Sequence, residues 1–268
     1  MTDDKNFSSL RPDIIRDKLS QTIFAPNLVF HETVDSTNTL LKDLAAQGAA
    51  EGTIVIAEEQ TAGRGRMGRT WLSPAHSNLY LSLLLRPPVP PDQVFVLTMV
   101  LALATIDGVG TVSGLGPMIK WPNDLYVGGR KLGGILTDFC VREGAVEYVV
   151  LGLGLNVNWN PGEEQGIIYQ ATSVLKETGN RISRDDLLGE ILSSFDNYYR
   201  RVLAGKSAVF YDEWNDRSMV LGRTVEIKTA DGSVSGKALR IDHKGALVIE
   251  DDDDKEQTIL CGDVSLKF

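Results

Sequence analysis

The segment Gly63-Arg64-Gly65-Arg66-Met67-Gly68-Arg69 alternates three arginines with glycines. Arginine presents N–H donors in a fixed fork that matches carboxylate and phosphate. Glycine lets the backbone approach a ligand closely. Together they read as a flexible clamp that folds over an anion. Four further polar groups interrupt apolar segments. Asp35-Ser36-Thr37-Asn38 caps a helix, or offers Ser36 and Thr37 as donors to a polar ligand. In Glu59-Gln60, at the end of a strand, Gln60 supplies a carbonyl and an amide suited to a neutral ligand. Lys120-Trp121-Pro122-Asn123-Asp124, followed by Lys131, holds an ammonium where it can stabilise a carboxylate or phosphate oxygen. Within it, Asn123 and Asp124 cap a turn, or Asp124 orients a lysine or holds magnesium through water. Gly152-Leu153-Gly154-Leu155-Asn156 leaves one face of a strand bare for a planar ligand, unless the glycines mark a bulge or a crowded face. Asn156 points to that same face.

Other chemistries lack their residues. The chain has no Gly-x-x-x-x-Gly-Lys-Ser/Thr stretch, no Gly-x-Ser-x-Gly elbow and no His-Glu-x-x-His pair. His31, His76 and His243 stand in unrelated contexts, and Cys140 has no evident local base. What remains is chemistry by positioning and positive charge. An acid activated by nucleotide transfer suits that inventory: its carboxylate attacks an α-phosphate while Arg and Lys offset the charge.

The elements that must hold these groups follow from periodicity and punctuation. Pro12 opens a short helix, and Leu28 to Phe30 reads as a strand. A helix capped at Asp35 or Ser36 ends near Gly48. Strands are expected at Thr53 to Ala57 and Asn78 to Leu85. A helix covers Asp92 to Asp107. Leu125 to Val127 and Lys131 to Thr137 flank a Gly128-Gly129 hairpin. Val141 to Ala145 reads as a turn before a strand at Val146 to Val157. Helices are expected at Arg184 to Leu203 and Ala208 to Arg217. Thr224 to Thr229, Ser233 to Ile241, Ala246 to Glu250 and Gln257 to Leu260 then read as short strands of a small β-barrel, split by Asp231-Gly232, Lys244-Gly245 and a solvated acidic turn, Asp251 to Asp254. The pattern is α+β, with a mixed, mostly antiparallel sheet and packed helices.

The formal net charge of −9 argues against broad attraction to nucleic acid. Two cysteines, Cys140 and Cys261, with no CxxC spacing, fit a reducing, cytoplasmic setting. The apolar segments read as too short, or too interrupted by glycine, to span a membrane.

Taken in order and spacing, Asp35 to Asn38, Glu59 to Arg69, Lys120 to Asp124, Lys131 to Leu136 and Gly152 to Asn156 resemble the catalytic core of biotin protein ligases, the biotin–[acetyl-CoA-carboxylase] ligases. The resemblance covers about residues 28 to 268. It implies a class II synthetase-like core at 28–219, after a short extension at 1–27, and a small SH3-like β-barrel at 220–268. It implies an enzyme that uses ATP to form biotinyl-5'-AMP, releases pyrophosphate, and transfers biotin to one lysine of a biotin carboxyl carrier protein. Magnesium is implied with ATP, with Asp124 a candidate ligand.

By the same resemblance, Ser36, Thr37, Gln60, Gly63, Gly152 and Gly154 meet biotin. Arg64 and Lys120 are the catalytic pair, close to the reacting carboxylate and phosphate. Arg66, Arg69, Trp71, Asn123, Lys131 and Asn156 join them on the adenylate side. About 27 residues precede the first core strand, too few for the DNA-binding domain of some relatives, so no specific DNA binding is expected. Asp138 stands where many relatives carry Glu. A homodimer is allowed, as in several relatives. The alternatives are a lipoate–protein ligase acting on a lipoyl carrier domain and a non-catalytic biotin sensor. The Gly-Arg loop and Lys-Trp-Pro-Asn-Asp favour biotin over lipoate, and the intact Arg and Lys set favours an enzyme over a sensor.

Overall fold

Alternation along Ile54-Val55-Ile56 divides these side chains between two faces of a sheet. The computed structural model, which describes residues 9–161, 170–229 and 232–266, builds that sheet from seven strands. Strand β1 (Leu28–Val34) pairs parallel with β2 (Ile54–Gln60). Antiparallel neighbours follow: β3 (Leu79–Leu85), β7 (Ala145–Leu155), β6 (Arg130–Arg142), β5 (Asp124–Val127) and β4 (Met118–Lys120). Ile54, Ile56, Leu81, Leu83, Leu151 and Leu153 belong to the main core. Val55, Leu84 and Val150 instead meet Leu41 and Ala45 of α2 (Thr37–Ala46) in a small separate core.

The main core is completed by α1 (Pro12–Lys18), α3 (Phe95–Ser113), α5 (Arg184–Leu203) and α6 (Ala208–Asp216). Helix α5 spans the predicted residues. Ser183 Oγ accepts from Asp186 N at 3.2 Å, Asp185 and Asp186 lie in its first turn, and Arg200 and Arg201 lie in its last. Its Leu187, Leu188, Ile191, Leu192 and Phe195 are fully buried. Each contributes about 1.5–3 kcal/mol of apolar transfer before entropy is counted.

Helix α3 runs past the expected end at Asp107. Its glycines do not interrupt it, because Gly108 is a contact point: a Cβ there would lie 2.6 Å from Ile191 Cγ1 of α5. With the preceding 3-10 turn, Pro91–Ser113 is long and apolar enough to cross a membrane, contrary to the sequence reading, but most of it is buried in the core. The expected turn at Val141 to Ala145 is also shorter. Strands β6 and β7 continue to Arg142 and Ala145, and Glu143 and Gly144 make the turn with positive φ. A short helix, α4 (Val174–Thr178), was not read from the sequence.

The expected C-terminal barrel is not closed. Strands β8 (Thr224–Thr229), β9 (Gly232–Ile241), β10 (Leu247–Glu250), β11 (Glu256–Ile259) and β12 (Asp263–Leu266) form an open antiparallel sheet in the order β11-β10-β9-β8-β12. Among the described residues β11 pairs with β10 and β12 with β8, and these two edge strands do not pair with each other. Alternation and turns count strands. Closure depends on tilt and stagger, which short strands do not encode. The acidic stretch is a hairpin turn: Asp251 Oδ1 accepts from Asp253 N and Lys255 N, both at 3.0 Å. These N–H donors, together with Gln257, hold the Asp251 carboxyl below its usual range. Asp231, of the expected Asp231-Gly232 turn, lies outside the described residues.

The second sheet docks through its β9–β10 turn. Trp121 Nε1 donates to Gly245 O at 2.9 Å, and Lys244 Nζ lies 3.0 Å from Asp92 Oδ2. Gly245 has φ +83 and packs on the Phe95 ring, where a Cβ would collide.

Candidate active site

A cavity of about 480 Å³ lies between the start of α2, the glycine-arginine loop and strands β6 and β7. At one end, side chains carry hydrogen-bonding groups without charge. Thr37 N and Thr37 Oγ1 both donate to Gln60 Oε1, at 2.9 and 3.2 Å, and Gln60 Nε2 donates to Ser73 Oγ at 3.0 Å. Ser82 Oγ lies 2.8 Å from Thr37 Oγ1 and 2.6 Å from Asn38 Oδ1. Ser36 occupies the N-cap position without a side-chain cap bond; its own N–H donates to Asp35 Oδ1 at 2.6 Å. The helix start therefore leaves the Ser36 hydroxyl for the cavity it lines.

Two glycines of β7 form the floor, crowded by side chains above them. Gly152 and Gly154 point to the same face of β7, opposite Leu136 and Gly134 of β6. A Cβ on Gly152 would fall on the Asn38 amide, and one on Gly154 would lie 2.5 Å from Trp71 Cε2. Close packing, rather than a bulge, is the reason for both. Trp71 lies over Gly154, and its buried Nε1 has no hydrogen-bond partner. Leaving such a donor unpaired costs free energy, and a bound acceptor would relieve it.

The other end is cationic. The loop is a tight hairpin: Arg64 bridges to Thr70, Gly65 N donates to Arg69 O at 2.7 Å, and Met67 and Gly68 turn the tip with φ 55 and 73. Arg66 Nη1 donates to Asn123 Oδ1 at 3.1 Å, and Asn123 Nδ2 donates to Ile135 O at 2.6 Å. Lys131 Nζ lies 2.7 Å from Asp124 Oδ1 and sits over the Trp71 ring. Arg69 pairs with Asp263 of β12. Arg64 Nη1 lies 3.6 Å from Asp138 Oδ2, which also lies 3.7 Å from Lys42 Nζ. Burial pushes the Arg66 guanidinium below its ordinary value, against the raising effect of Asp124.

Of the residues singled out in the sequence, Ser36, Thr37, Gln60, Arg64, Arg66, Arg69, Trp71, Asn123, Asp124, Lys131, Gly152, Gly154 and Asn156 line this cavity. Asn156 does so with its amide engaged, Nδ2 donating to Thr172 O at 2.9 Å. Two others stand back. Gly63 closes the base of the loop, where a Cβ would meet Ser73 Oγ at 2.7 Å. Lys120 does not line the cavity; its Nζ lies 5.2 Å from the Tyr126 ring centroid. Burial lowers the Lys120 pKa, Asp124 opposes that, and Lys131 and Arg69 lower it further. Lys131, assigned to the adenylate side, is the lysine the cavity holds. Sequence reasoning did not select Asn38, Trp159 or Asp263, which also line it. Asn38 was visible within the Asp35 to Asn38 motif. Asp263 was hidden because β12 was not read as a strand.

No three His, Cys, Asp or Glu side chains come together as a metal site among the described residues. Asp124 and Asp263 line the cavity as carboxylates already paired with cations. With Asp124 as its candidate carboxylate, the site fits magnesium carried by phosphate oxygens rather than a cage built by the protein.

Residues 30–156 match the Biotin/lipoate A/B protein ligase family, and residues 220–267 match the Biotin protein ligase C terminal domain. The chain is 35% identical over 237 residues to the bifunctional ligase/repressor BirA of Bacillus subtilis (strain 168), covering 88% of this chain and 73% of that protein. It is 34% identical over 223 residues to the biotin–[acetyl-CoA-carboxylase] ligase of Mycobacterium tuberculosis, covering 80% of each. Its structure resembles the biotin protein ligase from Aquifex aeolicus in complex with biotin and ATP, with a TM-score of 0.76 and 28% identity over 90% of this chain and 98% of that one. The chain belongs to the biotin/lipoate A/B protein ligase family. Within that family it is a relative of the biotin protein ligases, whose C-terminal domain it also carries.

Proposed function

We propose that this protein activates biotin with ATP as biotinyl-5'-AMP and transfers the biotinyl group to a lysine of a biotin carboxyl carrier protein. One observation carries the reading: a cavity whose uncharged hydrogen-bonding end, at Ser36, Thr37 and Gln60, is joined by a glycine floor to an end with four cations, Arg64, Arg66, Arg69 and Lys131. A neutral ring system with N–H and C=O groups suits the first end, and an acyl phosphate suits the second.

In the first step a biotin carboxylate oxygen attacks the α-phosphorus of ATP. The bond from that phosphorus to the bridging oxygen breaks, and pyrophosphate leaves. Arg64 holds the carboxylate. Lys131, aimed by Asp124, offsets charge on the α-phosphate, and Arg66 and Arg69 meet the departing phosphates. Lys120, paired in register with Asp124 and within electrostatic reach of Lys131 and Arg69, adds positive charge at the same end. In the second step the neutral carrier amine attacks the acyl carbon, AMP leaves, and the amine loses a proton. Gly152 and Gly154 let biotin and the Trp71 indole lie close to the sheet. Magnesium, carried with ATP, would neutralise phosphate charge near Asp124.

The same reading divides the chain into a catalytic unit, 28–219, and a C-terminal unit, 220–268. It includes a cytoplasmic setting without membrane attachment, which the free thiols of Cys140 and Cys261 suit, and a homodimer, which sedimentation at several concentrations tests. Biotin-dependent pyrophosphate release from ATP, followed by labelling of an apo carrier domain, tests the activity. Release with lipoate but not biotin would replace biotin with lipoate. Biotin binding without release would leave a sensor.

A further inference from the structure

The cavity is built almost wholly by the larger sheet and its helices. Asp263, at the start of β12, is its single lining residue from the second sheet among the described residues. Its carboxylate Oδ2 pairs with Arg69 Nη2 of the glycine-arginine loop. This joins residues 194 positions apart and crosses from one sheet to the other.

Three features deliver that carboxylate to a fixed place. First, β12 is held by β8, with Asp263 opposite Lys228 and Val264 opposite Ile227. Second, Val264 is buried in the core, so strand alternation turns Asp263 to the other face. Third, Gly262 permits the approach: a Cβ there would lie 2.6 Å from Ile227 Cγ2 and 3.0 Å from Lys228 O. Arg69 gains more from a fixed partner than an ordinary surface arginine would. Its charge disfavours those of Arg66 and Lys120. The Asp263 carboxylate beside it offsets that repulsion.

We propose that Asp263 is a positioning residue for nucleotide binding: the second sheet sets the Arg69 guanidinium, and through it the loop hairpin, in the orientation that receives the ATP phosphates. This rests on the biotin-ligase reading of the site. Asp263 acts through Arg69 and makes no contact of its own with the reacting atoms.

Biotin-dependent exchange of labelled pyrophosphate into ATP, with the full chain, tests it. The side chains are 40% and 31% exposed, so the pair is of moderate strength. Asp263→Asn raises the KM for ATP about fivefold, as expected for a part-exposed ion pair near the upper end of its range. Biotin affinity and kcat stay within about twofold, and Asp263→Glu recovers part of the loss. In an Arg69→Ala background, Asp263→Asn adds less than about twofold, because two residues acting through one contact are not additive. Three results would overturn the proposal: an unchanged or lowered KM for ATP in Asp263→Asn; an undiminished effect of Asp263→Asn without Arg69; or a lowered melting temperature with no split between KM and kcat. Absence of exchange in the parent protein would instead defeat the biotin-ligase reading itself.

Discussion

Lys131 Nζ and Asp124 Oδ1 are 2.7 Å apart across the β5–β6 hairpin, and the Lys131 ammonium lies 5.4 Å from the Trp71 ring centroid. The lysine is thus held from two sides at the cavity wall, with 15% of its side chain exposed. Lys120, on neighbouring β4, lies beside the Tyr126 ring, within electrostatic reach of Asp124, Lys131 and Arg69. Lys131→Ala should lower the single-turnover rate of adenylate formation by about 10²–10³, the usual cost of removing a donor aimed at developing charge. Lys120→Ala should cost about tenfold or less, as expected of a charge beyond the reacting atoms. Rapid-quench measurement with labelled ATP checks both, and the reverse order would return the catalytic role to Lys120.

Gly154→Ala places a methyl group against the Trp71 indole. The loop, rather than the sheet, must yield, because β7 is paired on both sides. Stability should fall by about 1–3 kcal/mol or less, the range for added core volume. Nucleotide affinity should fall by about tenfold, the equivalent of 1.4 kcal/mol. Calorimetric titration of ATP beside a thermal melt separates the two. Unchanged affinity would show that Trp71 does not shape the nucleotide end.

Glu58, on β2 beside the site strand residues Glu59 and Gln60, is fully buried. It pairs with Arg184 at 2.7 and 3.0 Å and accepts from Leu10 N at 2.5 Å. Its carboxylate ties the N-terminal segment to the start of α5. Glu58→Ala removes the counter-charge from the buried Arg184 guanidinium and should cost about 3–5 kcal/mol. The shift of the urea midpoint at unchanged slope reads this directly, and a loss below about 1 kcal/mol would show that water reaches Arg184.

Tyr198 donates to Asp107 Oδ2 at 2.5 Å, and burial, with that bond, pushes its pKa up to about 12. The folded state then keeps a proton that the unfolded chain releases near pH 10. Stability linked to this group is complete below about pH 10 and is lost as the pH rises toward 12. Tyr198→Phe should flatten the stability profile over that window. An unchanged slope between parent and variant would mean that the hydroxyl ionises alike in both states.

How much of this was legible depended on the kind of signal. Helix α5 was readable because its apolar residues recur at helical spacing, and the Ser183 cap and acidic first turn found in the structure agree with it. The Gly-Arg loop was readable because arginines and glycines in that pattern have no use in a core. Strand β12 was missed because Asp263-Val264-Ser265-Leu266, although it alternates, is too short a run to distinguish strand from loop. That miss concealed the acidic partner of Arg69 and favoured a closed barrel over the open sheet. The relative placement of Lys120 and Lys131 required the hairpin in three dimensions. Both lysines flank Asp124, and the register that places Tyr126 opposite Lys131 sets Lys131 at the cavity and Lys120 beside the Tyr126 ring. The extension of α3 past Asp107 likewise depended on a glycine contact with α5, a pairing that lies 83 residues away along the chain.

Biotin ligation is read most directly by incubating the purified protein with ATP, magnesium, biotin and an apo biotin carboxyl carrier domain, following pyrophosphate and carrier mass together. Pyrophosphate release should require biotin, and the carrier mass should rise by one biotinyl group on one lysine. Release that does not require biotin, or a carrier left unmodified while biotin binds, would contradict the proposed function.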